Sequence, residues 1–295
     1  MADAEPRQRE LLPWLAFVAC GAIWGSTFLV ISLGNDGLPP VWAATLRLAL
    51  ASVLLSLVTR ARGQALPRGK ALRAALGYGV AQFGINFPLL YWAEKTVPSG
   101  MAAVVYATIP LTSALMTRAI GLERLTAGKI LGSVIAFGGV ALLFSSSFAG
   151  HLAASGLIAI FVAATAAGAG TIVLKLGPHQ DPFGANAVGS AIGAVICCAV
   201  SFALGEPHAL PATLAAAWPL LYLTLAGSLG AYVLMSWLVR RWSVTRTSYV
   251  TVIVPVIALA LGALVRHERV GAAGLGGAAL VLAGLLVGMR QPAAH

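Results

Sequence analysis

The chain has 295 residues, of which 59% are hydrophobic and only 9% are charged, and its formal net charge is +10. A soluble globular domain usually carries about 25% charged residues, so this composition excludes an ordinary soluble protein and indicates an integral membrane protein. The basic excess does not indicate a nucleic-acid-binding protein, because the basic residues are sorted by membrane side instead of collecting on one surface.

Ten segments have roughly the 20 apolar residues that a helix needs to cross the hydrocarbon core. They run over residues 12–33, 39–59, 71–92, 98–117, 126–144, 153–174, 182–204, 213–239, 244–265 and 271–289. Short loops with proline, glycine and asparagine separate them. We therefore predict an all-α integral membrane protein with ten transmembrane helices.

The two halves of the chain are copies of each other. Residues 76–143 align with residues 221–288 at a constant offset of 145, without a gap. The matched positions include Trp92 and Trp237, Pro110 and Pro255, Glu123 and Glu268, Arg124 and Arg269, Gly132 and Gly277, and Gly139 and Gly284. Because each half holds five spans, the second copy must enter the membrane in the opposite direction. We predict two inverted five-helix repeats, residues 1–147 and 148–295, an arrangement typical of secondary transporters.

The charges of the loops predict the orientation. If the N-terminus is cytoplasmic, fifteen of the 19 basic residues lie on the inner side, three lie on the outer side, and Arg47 lies inside a span. The outer residues are Lys95, Arg266 and Arg269. This asymmetry follows the positive-inside rule, so both termini of this multi-pass protein are predicted to be cytoplasmic.

Three segments resemble a known family. Residues 121–143 read GLERLTAGKILGSVIAFGGVALL and resemble the end of an EamA domain, the five-helix unit that is duplicated in the drug/metabolite transporter superfamily. Residues 21–28 (GAIWGSTF) resemble its opening, and residues 45–48 (TLRL) resemble its second helix. The second half departs from the pattern, since GAGTIVLK replaces the tryptophan-containing motif and no arginine matches Arg47. The resemblance extends to bacterial inner-membrane amino-acid exporters, including exporters of aromatic amino acids, and implies a small-molecule substrate.

Arg47 is the clearest candidate for substrate binding, because a charge inside a span is costly and indicates function by default. Its guanidinium suits a substrate carboxylate. The alternative is a structural arginine that caps backbone carbonyls or extends to the interface.

Polar side chains recur on the third and eighth spans. They either line a substrate cavity or form hydrogen bonds to neighbouring helices. Trp24 and Thr27 in the first span and Tyr106 in the fourth are further candidates, and core packing is the alternative for these. The recurring residues are Tyr78, Gln82 and Asn86 in the third span and Ser228, Tyr232 and Ser236 in the eighth, with Trp237 beside the second stripe.

Pro110 and Pro255 interrupt the predicted fourth and ninth helices at matching repeat positions. A proline removes a helix hydrogen bond and favours a kink. We expect these two prolines to act as hinges of alternating access, although a static kink that shapes the cavity fits the pattern equally.

The acidic residues and histidines lie at termini, in loops or at span edges, so no proton-relay residue is apparent. No cofactor or metal site is expected. Pairs of small residues, such as Gly21 with Gly25 and Gly284 with Gly288, predict close helix packing. We expect a monomer in the bilayer, with a dimer as the alternative.

The sequence therefore predicts a secondary transporter, not an enzyme. It is expected to export small amphipathic metabolites, foremost amino acids including aromatic ones, by alternating access. A multidrug, lipid or other metabolite carrier of the same superfamily is the main alternative. An integral membrane enzyme would need a cluster of carboxylates, histidines or cysteines at one interface, and a channel would show non-saturating flux.

Overall fold

The computed structural model describes residues 4–122, 126–148, 154–239 and 250–289, and every regular element in these ranges is helical. We number the helices in chain order, and three of them consist of successive segments. They are α1 (Ala4–Gly34), α2 (Pro40–Ala61), α3 (Gly69–Gly79, Val80–Ile85 and Asn86–Ala93), α4 (Ser99–Tyr106 and Ile109–Ala119), α5 (Ala127–Phe148), α6 (Ala154–Leu176), α7 (Pro182–Ala203), α8 (Leu214–Tyr222, Leu223–Gly230 and Ala231–Val239), α9 (Val250–Val265) and α10 (Ala272–Met289).

These helices confirm the predicted all-α membrane fold. Within the described ranges, five of them are long and apolar enough to cross a membrane, namely α1 from Leu11, α2, α4, α6 and α7, and four further apolar helices are shorter. Large hydrophobic side chains also remain on the outer surface, for example Val134, Val195 and Phe202, which are 64%, 63% and 63% exposed. Such an extended apolar surface suits contact with lipid.

Helices α5 and α10, the last helix of each repeat, form the most extensive helix pair. A Cβ atom added at Gly132 would lie 2.5 Å from the Gly284 carbonyl oxygen, and one added at Gly139 would lie 2.7 Å from that of Gly277. At the offset of 145, Gly277 is the repeat equivalent of Gly132 and Gly284 is the equivalent of Gly139. Gly132 thus contacts the equivalent of Gly139, and Gly139 contacts the equivalent of Gly132, as a two-fold axis between the repeats requires.

The other small-residue pair predicted for close packing also lies between helices of this chain. Gly21 and Gly25 of α1 face Ile253 and Ile257 of α9, and a Cβ at Gly25 would come within 2.7 Å of the Ile257 side chain. Helix α1 of the first repeat therefore packs on α9 of the second. These glycines stabilise the fold of the chain by letting its helices approach closely.

The bundle has two ends. We call the end with the loops at residues 62–68 and 177–181 the proximal face, and the end with the loops at residues 35–39, 94–98, 204–213 and 266–271 the distal face. On the proximal face Arg62 donates a hydrogen bond to Asp181 at 3.1 Å, and Asp181 caps α7 by accepting from the Gly184 N–H at 2.9 Å.

On the distal face, loops of the second repeat cap helices of the first. The Glu206 carboxylate accepts from the backbone N–H groups of Val41 and Trp42 at the start of α2 (3.2 and 2.8 Å). The Glu268 carboxylate accepts from the backbone N–H and the hydroxyl of Ser99 at the start of α4, both at 2.9 Å. Because carboxylates stabilise helix N-termini, these contacts hold the two repeats together at the distal face.

Both repeats contain a π-helical segment at the same place. Val80–Ile85 in α3 and Leu223–Gly230 in α8 overlap when the offset of 145 is applied. Such segments are rare and occur frequently at functional sites. Each one packs on the second helix of the opposite repeat, Val80–Ile85 on α7 and Leu223–Gly230 on α2.

The two prolines expected to interrupt helices differ from each other. Helix α4 is interrupted at Ala107 and Thr108, and Pro110 lies in the first turn of its second segment, where its missing N–H needs no partner. Helix α9, in contrast, runs without interruption through Pro255 from Val250 to Val265. The expected interruption is therefore present at Pro110 and absent at Pro255 within the described part of α9.

Candidate functional site

Arg47 lies in the interior of the bundle, seven residues after the first residue of α2 and only 5% exposed. Its Nε donates a hydrogen bond to the Ser228 hydroxyl of α8 at 3.3 Å, and its Nη1 donates to the Tyr91 hydroxyl of α3 at 3.1 Å. The guanidinium carbon also lies 5.0 Å from the centre of the Phe87 ring, within the range of a cation–π contact. Arg47 therefore joins α2, α3 and α8.

No carboxylate pairs with Arg47 within the described part of the chain, and none of its hydrogen bonds there goes to a backbone carbonyl. A guanidinium has five N–H donors, so two hydroxyl partners leave most of its donor capacity unused. A Cβ added at Gly227 would lie only 3.2 Å from Nη2, so the absence of a side chain at Gly227 lets α8 approach the guanidinium closely. A buried cation without a carboxylate partner is a candidate anion-binding group.

A small apolar cleft lies next to Tyr91 on the distal side of Arg47. It lies between α1, α2, α3 and α8, and its free volume is only about 10 Å³. This is far below the roughly 300–1,000 Å³ of pockets for drug-sized ligands, so in this conformation the cleft has room for no more than about one water molecule. The residues that line it are Ile31, Gly34, Leu38, Ala43, Tyr91, Ala216, Pro219, Leu220 and Leu223.

The polar residues of α3 contact different helices. The Tyr78 hydroxyl donates to Asn186 Oδ1 of α7 at 2.8 Å. Asn86 is 1% exposed, and its Oδ1 accepts a hydrogen bond from the Tyr106 hydroxyl of α4. Gln82 lies within the π-helical segment, where its backbone packs on Gly170 of α6. These residues therefore do not face one common surface.

The π-helical segment explains this divergence. The extra residue of a π turn rotates the following side chains by about 100°, the angle between successive residues of an α-helix. The recurrence of Tyr78, Gln82 and Asn86 every four residues consequently predicts one stripe only for a regular α-helix. Asn86 with Tyr106 remains at the centre of the bundle, whereas Tyr78 with Asn186 lies towards the proximal end of α7.

The candidate residues of α8 and α1 also separate. Ser228 accepts from Arg47 and donates to the Leu223 carbonyl at 3.3 Å, so it belongs to the Arg47 site. Thr27 lies across from Gly227 in the same region, with its hydroxyl bonded to the Ile23 carbonyl at 2.9 Å. The side chain of Tyr232 lies outside the described part of the structure. Trp24 and Trp237 pack together with an apolar cluster around Phe17, Cys20 and Leu238, away from Arg47.

Three site residues on α3 were missed by sequence reasoning. Phe87 and Tyr91 contact Arg47, and Glu94 follows as the first residue after the helix. Their spacing of four and three residues places them on one helical face, which is the signal that could have identified them. Glu94 lies at the span edge that the sequence predicted, but it is only 5% exposed and both of its carboxylate oxygens lack a hydrogen-bond partner.

The electrostatics of Glu94 follow from this position. Burial raises the pKa of its carboxyl well above the ordinary value, and the nearby Glu268 carboxylate raises the pKa further, while Arg47 lowers it. Glu94 therefore accepts a proton or a cation readily.

Comparisons with known proteins agree with this architecture. The family model of the EamA-like transporter family matches residues 12–145 and 154–289. The chain is 30% identical over 260 residues to the "Uncharacterized inner membrane transporter YedA" of Escherichia coli strain K12, covering 87% of this chain and 84% of that protein. It is 30% identical over 282 residues to a "Probable amino-acid metabolite efflux pump" of Salmonella typhimurium strain LT2, covering 90% of each chain.

A shorter match and a solved structure extend the comparison. The chain is 32% identical over 128 residues to a "Probable terminal-alkyne amino-acid exporter" of Streptantibioticus cattleyicolor, covering 43% of each. A crystal structure with 18% sequence identity superposes with a TM-score of 0.63 and covers 92% of this chain and 94% of that one, which supports the fold. Two family matches, one in each half of the chain, and the helical bundle formed by the described residues lead to one conclusion: the chain belongs to the EamA-like transporter family and is a multi-pass membrane transporter, not an enzyme.

Proposed function

We propose that this transporter exports small amphipathic metabolites, and specifically amino acids including aromatic ones, across a bacterial inner membrane. The observation that carries the proposal is the buried guanidinium of Arg47, which lacks a carboxylate partner in the described structure. A solute with a carboxylate complements this cation, and the apolar lining next to Tyr91 suits an apolar side chain once the closed cleft opens. The relatives named as an amino-acid metabolite efflux pump and an amino-acid exporter support the substrate class and the direction.

The orientation follows the loop charges. The proximal end of the bundle carries Arg60, Arg62, Arg68 and Lys70, and we assign this face to the cytoplasm together with both termini. The distal face is then periplasmic. Its two capping carboxylates, Glu206 and Glu268, join the repeats there.

Transport is proposed to proceed by alternating access, in which the repeats rock against each other around Arg47. Inverted repeats provide two related conformations of this kind. The interruption of α4 next to Pro110 and the two π-helical segments are the weak points at which helices can bend. Substrate exchange itself needs no proton in this proposal.

Counterflow in liposomes tests the function. Purified protein is reconstituted, the liposomes are preloaded with unlabelled phenylalanine, threonine or methionine, and the uptake of the same labelled amino acid is measured without an ion gradient. Saturable uptake that exceeds the uptake of protein-free liposomes supports the proposal. Folded protein that gives no counterflow with any of these amino acids overturns it and moves the search to cationic drugs, lipids or other metabolites. Non-saturating flux would instead indicate a channel.

A further inference from the structure

The distal end of α3 contains buried hydrogen-bond acceptors that have no donor. Both carboxylate oxygens of Glu94 are buried without a partner, and so is Oδ1 of Asn35 in the loop after α1. The two residues lie at the same helix end, because Asn35 Nδ2 donates to the Tyr91 carbonyl at 3.1 Å, three residues before Glu94. Buried polar atoms normally have partners, so this group of acceptors indicates a missing donor.

The surroundings favour a cation as that donor. Helix α1 ends at Gly34 and α3 ends at Ala93, and helix C-termini carry partial negative charge. Glu268, whose carboxylate is held by Ser99 and Gly100, lies close enough to add its own negative potential at Glu94.

Two arginines lie near this end. The guanidinium of Arg266 donates through Nη2 to the Ser32 carbonyl at 2.7 Å and pairs with Asp36 at 2.9 Å, while its Nε is buried without a partner. Arg47 donates to the Tyr91 hydroxyl and is near enough to lower the pKa of Glu94. Neither forms an ion pair with Glu94 in the described structure.

A proton would satisfy one of these three acceptor atoms, whereas a primary ammonium group has three N–H donors. We propose that Glu94 and Asn35 bind the ammonium group of the transported solute while Arg47 binds its carboxylate, so that the pair recognises a zwitterion. This inference rests on the proposed function and deepens it, because it assigns a residue to each end of an amino acid.

Competition in the counterflow assay tests this assignment. Labelled phenylalanine is the reporter. The competitors are phenylalanine, 3-phenylpropionate, which lacks the amine, and 2-phenylethylamine, which lacks the carboxylate. In Glu94→Gln we expect the concentration of phenylalanine for half-inhibition to rise by at least about tenfold, because one hydrogen bond to a charged group is lost. The value for 3-phenylpropionate should stay unchanged.

Two further variants complete the design. Glu94→Asp keeps a carboxylate and should retain part of the preference for the amine. Asp36→Asn removes a carboxylate from the same face, but from a side chain that is 63% exposed, and should behave as wild type. If Glu94→Gln does not fold, Asn35→Ala takes its place. It should weaken inhibition by phenylalanine more than inhibition by 3-phenylpropionate.

The outcomes separate this inference from the proposed function. The assignment is overturned if Glu94→Gln leaves unchanged the ratio of the half-inhibition concentrations of phenylalanine and 3-phenylpropionate. If the ratio is unchanged but the variant alters the response to a pH gradient, the assignment is overturned as well, and Glu94 is a proton site. If wild-type protein transports no amino acid, the same compounds are tested by thermal stabilisation. Stabilisation by 2-phenylethylamine that Glu94→Gln abolishes supports the ammonium site although the proposed function fails, and no stabilisation by any amine overturns it.

Discussion

Replacing Arg47 by leucine distinguishes a substrate-binding guanidinium from a structural one. The change removes a buried charge that has no carboxylate partner, and because burying such a charge is costly, its replacement by an apolar residue favours the folded state. In return, the Tyr91 hydroxyl loses its hydrogen bond, which costs about 1–3 kcal/mol, whereas Ser228 keeps its bond to the Leu223 carbonyl. The two terms offset, so we expect Arg47→Leu to fold with a stability close to that of the wild type.

Transport should respond much more strongly. A bidentate contact between Arg47 and a substrate carboxylate comprises two charge-assisted hydrogen bonds of about 1.5–3 kcal/mol each, so their loss predicts a fall in kcat/KM of more than about 100-fold. Arg47→Lys keeps the charge but loses the fork geometry, and a fall of about 10- to 100-fold is expected. Counterflow with labelled phenylalanine measures both effects, and thermal unfolding in detergent measures stability.

Arg62→Leu is the matched control. Arg62 is also an arginine with a ring contact, 4.3 Å from the Phe183 centre, but it lies on the proximal face with 37% of its side chain exposed. Its replacement should leave kcat/KM nearly unchanged. The reasoning is refuted if Arg47→Leu unfolds while Arg47→Lys transports like the wild type, because that pattern describes an arginine that only holds helices together.

Three further predictions concern packing, pH and hinges. Gly132→Leu should prevent α5 from packing on α10, because even a Cβ would lie 2.5 Å from the Gly284 carbonyl, and we expect loss of monodisperse protein in size-exclusion chromatography. Because the pKa of Glu94 is raised, the folded protein binds the proton of this carboxyl more tightly than the unfolded chain does. The contribution of this proton to stability is full below the ordinary pKa of 4.5 and is lost as the pH rises through the raised pKa. With rising pH, the unfolding temperature should therefore fall less in Glu94→Gln than in the wild type. Pro110→Ala should slow turnover several-fold and Pro255→Ala less, since only α4 is interrupted, and unchanged turnover in both variants contradicts the hinge role.

The helices were predictable because a bilayer restricts the chain to few solutions. A span must be about 20 apolar residues long, and its ends are marked by charges and by turn residues. The predicted span 182–204 and the observed helix Pro182–Ala203 agree for this reason: Asp181 caps the start of the helix, and charged and proline residues follow its end. The glycine contacts between α5 and α10 follow from the small-residue spacing in the same way.

The π-helical segments could not be predicted, because no residue type forces such a turn. Val80–Ile85 contains no proline, and it packs on Ile192 and Ile196 of α7 through Gly79 and Gly84, which is a tertiary effect. The burial of Glu94 is a consequence of tertiary structure as well. Its position at a span edge is consistent with an exposed loop residue, and only the packing of neighbouring elements around the end of α3 leaves it 5% exposed.

The symmetry of the fold explains why the candidate site lies on one side only. Arg47 stands seven residues after Pro40 in α2, and Gly189 stands seven residues after Pro182 in α7, so the two positions correspond between the repeats. Gly189 has no side chain, and the rings of Tyr78 and Phe83 occupy the space that one would need. Their nearest atoms would lie 3.0 and 3.1 Å from a Cβ added at Gly189.

A cation faces the π-helical segment in one repeat, and aromatic rings fill the equivalent space in the other. The duplication thus preserves the helices and their π turns in both repeats. It does not preserve the buried cation, because a second buried arginine would carry the cost of another charge without a carboxylate partner; under the proposed function, a solute with one carboxylate needs a single guanidinium.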